Sequence, residues 1–481
     1  MPITVRSSPR SRQLRRPRLL LAGVLLPALL AGCTSAGSGA VATSTSTATV
    51  AGTTVASIGT PAPGSSAGPI TSAPAVTSAT GSAVPSTPTT TPTTAGQVTT
   101  SPSTSPSTAA APKTSVRPAP LPKVTVSVQS GASEVSPVEP VMITAKAGTL
   151  RTVVMTNPDG RTVKGGLSAD RLSWTSAEPL GYGREYELTW MAANSQGASS
   201  KGSSTFTTVN PDRTMYTSFF PGPKLKTVGV GQPMVVIFDQ APTDRVAAEK
   251  ALSVKTVPAV KGSWYWWDDR TLHYRAENYW KPGTRITVSA NIYGVDLGDG
   301  VYGETDRTMT VTIGKSKIAR VDDATKQMEI FVDDKKVRTV PVSLGRNKSI
   351  TVAGTDISFV TPSGTYVAQE KYPVKKMNSA SYGLPVESDL GYDKEIPLAV
   401  RFSNEGIFVH SAPWSVEDQG VRNVSHGCIN VNPKAAKWFF DNFGYGDILT
   451  VKGTSTKLAP TDGYGDWNIP WSKWKAGSAL A

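Results

Sequence analysis

Cysteine and histidine are scarce in this chain. Its 481 residues contain two cysteines, Cys33 and Cys428, and three histidines, of which His410 and His426 shortly precede Cys428. Thiol or imidazole chemistry must therefore use these few side chains. The chain also lacks a basic patch with interleaved aromatic residues, so its net charge of +13 gives no support for nucleic-acid binding.

Residues 34–122 lack aromatic residues and acids, and their only charged residues are Lys113 and Arg117. The segment consists mainly of Ser, Thr, Ala, Pro and Gly. Such a composition cannot bury enough apolar surface to offset the entropy of ordering the chain. We therefore predict that residues 34–122 are a disordered tether.

Acidic residues are also absent before Cys33. Six arginines lie between Arg6 and Arg18, and the apolar run that follows, 19–30, is too short to span a membrane as a helix. The Leu-Ala-Gly-Cys run that ends at Cys33 resembles a bacterial lipobox. This predicts that residues 1–33 are a lipoprotein signal peptide and that the exported protein is anchored to the cell membrane by a lipid on Cys33, facing the cell wall or periplasm. An ordinary secretory signal cleaved near Ala31 is the alternative.

The run Ser425-His426-Gly427-Cys428-Ile429-Asn430 contains the second cysteine. This run and residues 407–411 are rich in β-branched and aromatic residues and alternate in polarity, so we predict that both are strands. On a strand, His426, Cys428 and Asn430 would share one face. If the two strands are neighbours, His410 can reach Cys428, and Gly427 allows a substrate carbonyl to approach backbone N–H groups. A thiol beside an imidazole is the equipment for acyl transfer through a thioester.

Two other interpretations of Cys428 remain open. It is a small buried core residue, or it binds zinc together with His410, His426 and a water molecule. The polar Ser-His-Gly setting disfavours the first, and no carboxylate or second cysteine is spaced to support the second. We therefore predict a nucleophilic cysteine with a histidine base, and no metal or cofactor.

These residues resemble the signature of the L,D-transpeptidases, which have a YkuD-type catalytic domain. The match is carried by His410-Ser411 and the Ser-His-Gly-Cys-x-Asn run. It extends over 411–415, the preceding Gly391-Tyr392 and the C-terminal run 465–471, as in the mycobacterial-type lipoproteins with immunoglobulin-like domains. Histidine precedes cysteine, the reverse of the order in papain-like peptidases, and the Thr-Leu-x-Thr-Cys motif of sortases is absent.

The resemblance implies an enzyme that acts on the stem peptides of peptidoglycan. It would cleave a tetrapeptide donor after its third residue, a diamino acid, release D-alanine and form a 3→3 crosslink with a second stem. It also implies inhibition by carbapenems. An L,D-carboxypeptidase, which resolves the same thioester with water, and a wall-binding lipoprotein without catalysis are the alternatives.

The resemblance also assigns roles to individual residues. Cys428 would be the nucleophile and His410 the base, oriented by the backbone carbonyl of Ser411. The amides of Gly427 and Cys428 and the hydroxyl of Tyr392 would form the oxyanion hole. The other predicted site residues are His426 and Asn430, which would support the loop and the donor, and the substrate-binding residues Met377, Tyr382, Trp414 and Ser425.

The alternation of short strands and turns predicts a mainly β fold. Two immunoglobulin-like β-sandwich domains, 123–209 and 210–314, would precede a β-rich YkuD-type catalytic domain at 315–453, with a short helix from Pro433 to Phe443. In the family a lid loop, here 371–392, covers the site, and the tail 454–481 packs on the second sandwich. We expect the aromatic cluster at 264–280 to fill a core rather than to stack on sugars, and His273 to be structural.

Overall fold

The computed structural model describes residues 117–481. The predicted signal peptide, with Cys33, and most of the predicted tether lie outside these residues. Residues 117–122 close the predicted tether, and the first sandwich holds their backbone: Asn194 Nδ2 donates to the carbonyls of Ala119 and Pro120 at 3.2 and 3.1 Å. Gln196 adds a second side-chain amide, which accepts from Ala119 N at 2.8 Å and donates to Arg117 O at 3.5 Å.

The first sandwich contains two four-stranded sheets, in the orders β1-β3-β6-β5 and β2-β8-β7-β4. Buried and exposed residues alternate along strands such as β3 and β7, as expected when one face of a sheet covers a core. Trp174, Tyr186 and Phe206 fill that core. The strands are β1 (Lys123–Val126), β2 (Ala132–Val135), β3 (Met142–Lys146), β4 (Thr149–Thr156), β5 (Gly165–Leu167), β6 (Ser173–Ser176), β7 (Glu185–Ala193) and β8 (Ser199–Thr208).

The second sandwich has sheets in the orders β10-β12-β15-β14 and β11-β18-β16-β13, with a separate pair, β9 and β17. Its aromatic residues Trp264, Trp266, Tyr274 and Trp280 are buried, which confirms that they are core residues. The elements are β9 (Arg213–Met215), β10 (Thr217–Phe220), β11 (Thr227–Val228), β12 (Met234–Phe238), α1 (Arg245–Lys250), β13 (Leu252–Val257), β14 (Gly262–Trp266), β15 (Thr271–Ala276), β16 (Arg285–Ala290), β17 (Val301–Gly303) and β18 (Arg307–Ile313).

The catalytic domain has a five-stranded sheet, β21-β20-β19-β29-β24, a four-stranded sheet, β25-β26-β27-β28, and the separate hairpin β22–β23. The helix α2 has Asn432 as its N-cap and begins at Pro433, as its sequence predicts. The elements are β19 (Lys317–Asp322), β20 (Gln327–Val332), β21 (Lys335–Pro341), β22 (Ser349–Val352), β23 (Thr355–Ser358), β24 (Gly364–Val367), β25 (Glu370–Asn378), β26 (Asp393–Arg401), β27 (Phe408–Ser411), β28 (Ile429–Val431), α2 (Pro433–Asn442) and β29 (Ile448–Lys452).

Two sequence-based predictions about the local structure of the site need correction. The run 425–430 is not one strand: only β28 is extended, because Gly427 adopts a φ of 126°. The first part of the predicted lid loop 371–392 is a strand, because residues 371–378 belong to β25, which pairs with β26. A 3-10 turn, Ser379–Tyr382, follows, and only residues 383–392, here called the lid turn, lack regular structure.

The tail joins the second sandwich to the catalytic domain through three consecutive residues, 466–468, here called the tail clip. Asp466 Oδ1 lies 2.8 Å from His273 Nδ1, and Trp467 Nε1 donates to Gly231 O. Asn468 exchanges two hydrogen bonds of 2.8 Å with the backbone of Thr365. The short helix α3 (Trp471–Lys475) then packs on β14 through Trp474, whose Nε1 donates to Ser263 O. No helix among residues 117–481 is long and apolar enough to cross a membrane.

Candidate active site

The site lies at the edge of the four-stranded sheet where β27 and β28 run side by side. These strands are parallel, and His410 lies opposite Asn430 in their register. Registered residues of parallel strands point to the same face, and Cys428 stands immediately before β28. The pairing therefore brings the imidazole-bearing strand beside the turn that carries the thiol, here called the Cys428 loop (residues 424–428).

Cys428 is a free, partly exposed cysteine. Its Sγ lies 3.4 Å from the carbonyl oxygen of Gly406, in the turn that precedes β27. Although the side chain can be reached from solvent, it is densely surrounded by protein atoms, and this burial raises the pKa of the Cys428 thiol to about 11. The backbone N–H of Phe408 opposes the rise only in part. The resting side chain is therefore a neutral thiol that needs a base.

His410 is buried, and its Nδ1 lies 2.9 Å from the carbonyl oxygen of Ser411. A carbonyl can only accept, so this contact places the proton on Nδ1 and leaves Nε2 as the basic nitrogen. Burial lowers the pKa of His410 to about 4, against the opposing effect of the Ser411 carbonyl. At neutral pH the imidazole is uncharged and able to accept a proton. Trp414 stacks on it, with ring centroids 6.0 Å apart.

The Cys428 loop is fixed by two hydroxyl groups. Thr361 Oγ1 donates to Gly427 O at 2.6 Å and accepts from Gly345 N at 2.9 Å. Ser425 Oγ donates to Cys428 O at 2.5 Å and accepts from Gly427 N at 3.2 Å. The amide of Gly427, assigned above to an oxyanion hole, thus already has an acceptor. Ser425 is buried, and these two contacts of its hydroxyl lie within the loop.

Sequence reasoning missed Thr361. It begins the Thr-Pro-Ser-Gly-Thr run, whose composition signals only a turn. A threonine hydroxyl becomes a loop support only when a segment distant in sequence reaches it, and Thr361 and Gly427 lie 66 residues apart.

His426, Tyr382 and Tyr392 form an aromatic wall beside the thiol. The His426 ring lies edge-on to Phe359 at 4.9 Å and 5.1 Å from Tyr392. Burial, with a smaller contribution from the positive charge of Arg346, lowers the pKa of His426 to about 4. The rings of the two tyrosines lie 6.3 Å apart, and burial raises the pKa of both. Both phenols therefore remain protonated and can donate.

The remaining predicted site residues are Asn430, Trp414 and Met377. Asn430 is buried, and its Nδ2 donates to Ser415 Oγ at 3.0 Å, which holds the short 3-10 segment that carries Trp414. Trp414 is 52% exposed beside His410. Met377 is half-buried at the end of β25, opposite Lys394. Among residues 117–481, no three metal-binding side chains are grouped as a metal site would require.

Two parts of the chain match known families. Residues 132–296 match the bacterial Ig domain family, and residues 316–452 match the L,D-transpeptidase catalytic domain family. The second match includes the Cys428 loop, His410 and the lid turn.

Relatives of known name match most of the chain. It is 43% identical over 362 residues to L,D-transpeptidase 2 of Mycobacterium tuberculosis, spanning 75% of this chain and 86% of the relative. It is 32% identical over 370 residues to L,D-transpeptidase 5 of the same species, spanning 76% and 78%. A solved L,D-transpeptidase in complex with imipenem is 32% identical over 49% of this chain and 97% of its own, with a TM-score of 0.41. The chain belongs to the L,D-transpeptidase family.

Proposed function

We propose that this protein crosslinks peptidoglycan stem peptides through a thioester on Cys428. The observation that carries the proposal is the pairing of β27 with β28, which sets an uncharged imidazole of fixed tautomer beside the loop of a reachable thiol. The donor is a tetrapeptide stem, and the bond that breaks joins its third residue, a diamino acid, to the terminal D-alanine.

In the first half-reaction, His410 Nε2 takes the thiol proton as Sγ attacks the donor carbonyl. The tetrahedral intermediate then collapses, the imidazolium returns the proton to the departing D-alanine amine, and a thioester remains on Cys428. In the second half-reaction, the side-chain amine of another stem loses its proton to His410, attacks the thioester and restores the thiol. The product is a 3→3 crosslink.

The developing oxyanion needs hydrogen-bond donors at the thiol. We assign this role to the Cys428 amide and the Tyr392 hydroxyl. The Gly427 amide joins them only if it leaves Ser425 Oγ, which accepts it in the resting site. A neutral phenol suits the task, because its proton is held firmly until negative charge develops.

The test is incubation with a purified disaccharide-tetrapeptide, followed by mass spectrometry. A crosslinked dimer with loss of D-alanine is the expected product, and Cys428→Ala should form none. Tripeptide without dimer would identify an L,D-carboxypeptidase instead, and no turnover by the folded protein would identify a wall-binding protein. Activity that a chelator removes and zinc restores would replace the thiol mechanism with a metal-dependent one.

We further propose that carbapenems acylate Cys428, since a β-lactam carbonyl can occupy the same oxyanion site. Intact-mass analysis should show one adduct on the wild type and none on Cys428→Ala. An adduct that persists in the variant would refute the assignment.

We also propose that the exported protein is anchored to the membrane by a lipid on Cys33. The support is the Leu-Ala-Gly-Cys run that follows an arginine-rich segment. Cell fractionation of Cys33→Ala tests the anchor, and unchanged retention in the membrane fraction would count against it.

A further inference from the structure

A small hairpin lies between the Cys428 loop and the lid turn. Its strands, β22 and β23, pair only with each other and join none of the larger sheets. We call residues 345–361, which contain the hairpin, the bridging segment.

Both ends of the bridging segment are fixed to the Cys428 loop. At the first end, the Arg346 N–H donates to Ser425 O at 3.0 Å. At the second end, the Thr361 hydroxyl donates to Gly427 O at 2.6 Å. A Cβ added to Gly345 would lie 2.9 Å from the Cα of Gly427, so the two backbones are in direct contact there. The segment thus leaves the loop that carries the thiol and returns to it.

The hairpin itself packs on the lid turn. Ile357, Phe359 and Leu384 form a buried cluster separate from the main core of the domain, with Ile350, Val352 and Leu390 at its edge. Leu384, in the lid turn, and Phe359 are fully buried. Apolar burial is the main stabilising interaction available to a short irregular turn. Packing against the hairpin therefore stabilises the lid turn.

The lid turn is also connected to the aromatic wall. Ser379 Oγ accepts the N–H of Tyr392 at 3.0 Å, and Ser379 O accepts the N–H of Leu384 at 3.1 Å. The His426 ring lies edge-on to Phe359 at 4.9 Å and 5.1 Å from the Tyr392 ring. Contacts therefore run without interruption from the Cys428 loop, through the hairpin and the lid turn, to the hydroxyl-bearing tyrosines.

We propose that Ile357, Phe359 and Leu384 are positioning residues for acylation, which hold the lid turn over Cys428 before any donor binds. Preorganisation of this kind places Tyr382 and Tyr392 at the thiol without an ordering step during the reaction. A flexible lid, in contrast, would close over the thiol only when substrate binds. This inference depends on the proposed function only for its acylation measurements, because the packing of the lid turn is measured separately.

The test compares Ile357→Ala with Ile330→Ala. Ile330 is 1% exposed on β20 in the main core, so its substitution deletes the same atoms away from the lid. Hydrogen exchange of residues 383–392 should be about tenfold faster in Ile357→Ala and unchanged in Ile330→Ala. Acylation by a carbapenem should slow by about tenfold or more in Ile357→Ala alone. Alkylation by iodoacetamide, which needs the thiol and its base but no oxyanion donor, should stay within about twofold of the wild type. Ile357→Val should give intermediate values.

Unchanged exchange of the lid turn in Ile357→Ala would overturn the proposal. Equal effects in both variants would also overturn it, because general destabilisation would then be the cause. Fast exchange with normal acylation would show that the packing does not position the tyrosines. If Ile357→Ala does not fold, Ile357→Val and Leu384→Val decide by the same criteria. If the wild type itself is not acylated, the proposed function fails, whereas the exchange measurement still tests the packing.

Discussion

At neutral pH the Cys428 side chain is expected to be a thiol and His410 an uncharged imidazole. Burial raises the thiol pKa to about 11 and lowers the His410 pKa to about 4. At pH 7, well below the pKa of the thiol and well above that of the imidazole, both groups are predominantly neutral. We therefore predict that the ultraviolet absorbance of a thiolate, measured as wild type minus Cys428→Ala, is absent from about pH 5 to about pH 9 and rises only in stronger alkali.

The competing state is a resting thiolate–imidazolium pair, in which the thiolate band would be present at pH 7 and disappear only near pH 4. A pH–rate profile does not separate the two states, because both give a plateau between the same two macroscopic pKa values. The absorbance difference does separate them, and the subtraction cancels Cys33 and the tyrosines. A thiolate band at neutral pH would refute our reasoning and make His410 an ion-pair partner before substrate binds.

Three further predictions concern residues around the site. Tyr392→Phe should slow carbapenem acylation roughly a hundredfold in stopped flow, because one oxyanion donor contributes on the order of 3 kcal/mol; a wild-type rate would remove Tyr392 from the oxyanion site. Thr361→Val should lower the free energy of unfolding by about 1–3 kcal/mol for each buried backbone group left unpaired, and it should slow acylation. Thr361→Ser keeps the hydroxyl and should therefore keep both the stability and the acylation rate. Equal acylation rates in the two variants would contradict this role. Arg275→Met should expose residues 454–481 to protease. The Arg275 guanidinium lies 4.4–5.2 Å from the rings of Trp467, Trp471 and Trp474 and donates to Ile469 O at 2.8 Å. Arg275→Lys is the control, and unchanged protection of the tail in Arg275→Met would show that the cation is dispensable.

Local patterns predicted much of the fold. Alternating polarity located most of the longer strands, such as β7 and β20, because a half-buried strand repeats every two residues. The helix after the site was predicted from Pro433 and Gly444, since proline favours the first turn and glycine follows the last. The candidate nucleophile and base came from a short motif whose residues lie on neighbouring strands.

Contacts between distant segments were not predictable in this way. The tail clip joins His273 to Asp466, which lie 193 residues apart, and neither residue carries a local signal for the other. In sequence, the hairpin β22–β23 looks like an ordinary surface hairpin. Its structural role depends on packing against Leu384, which lies near it only in the folded chain. Gly427 was predicted within a strand because its neighbours are β-branched, yet its φ of 126° ends the extended run.

The order of strands in the five-stranded sheet of the catalytic domain determines when that sheet can be completed. β29 is the last strand of the domain to be synthesised, yet it lies inside the sheet, parallel to β19 and antiparallel to β24. Until residue 452 has left the ribosome, these two strands have no partner on their facing edges, and the buried faces behind them stay uncovered. The tail clip emerges later still. A nascent chain therefore carries His410 and Cys428 at its four-stranded sheet before the five-stranded sheet that shares the same core is complete.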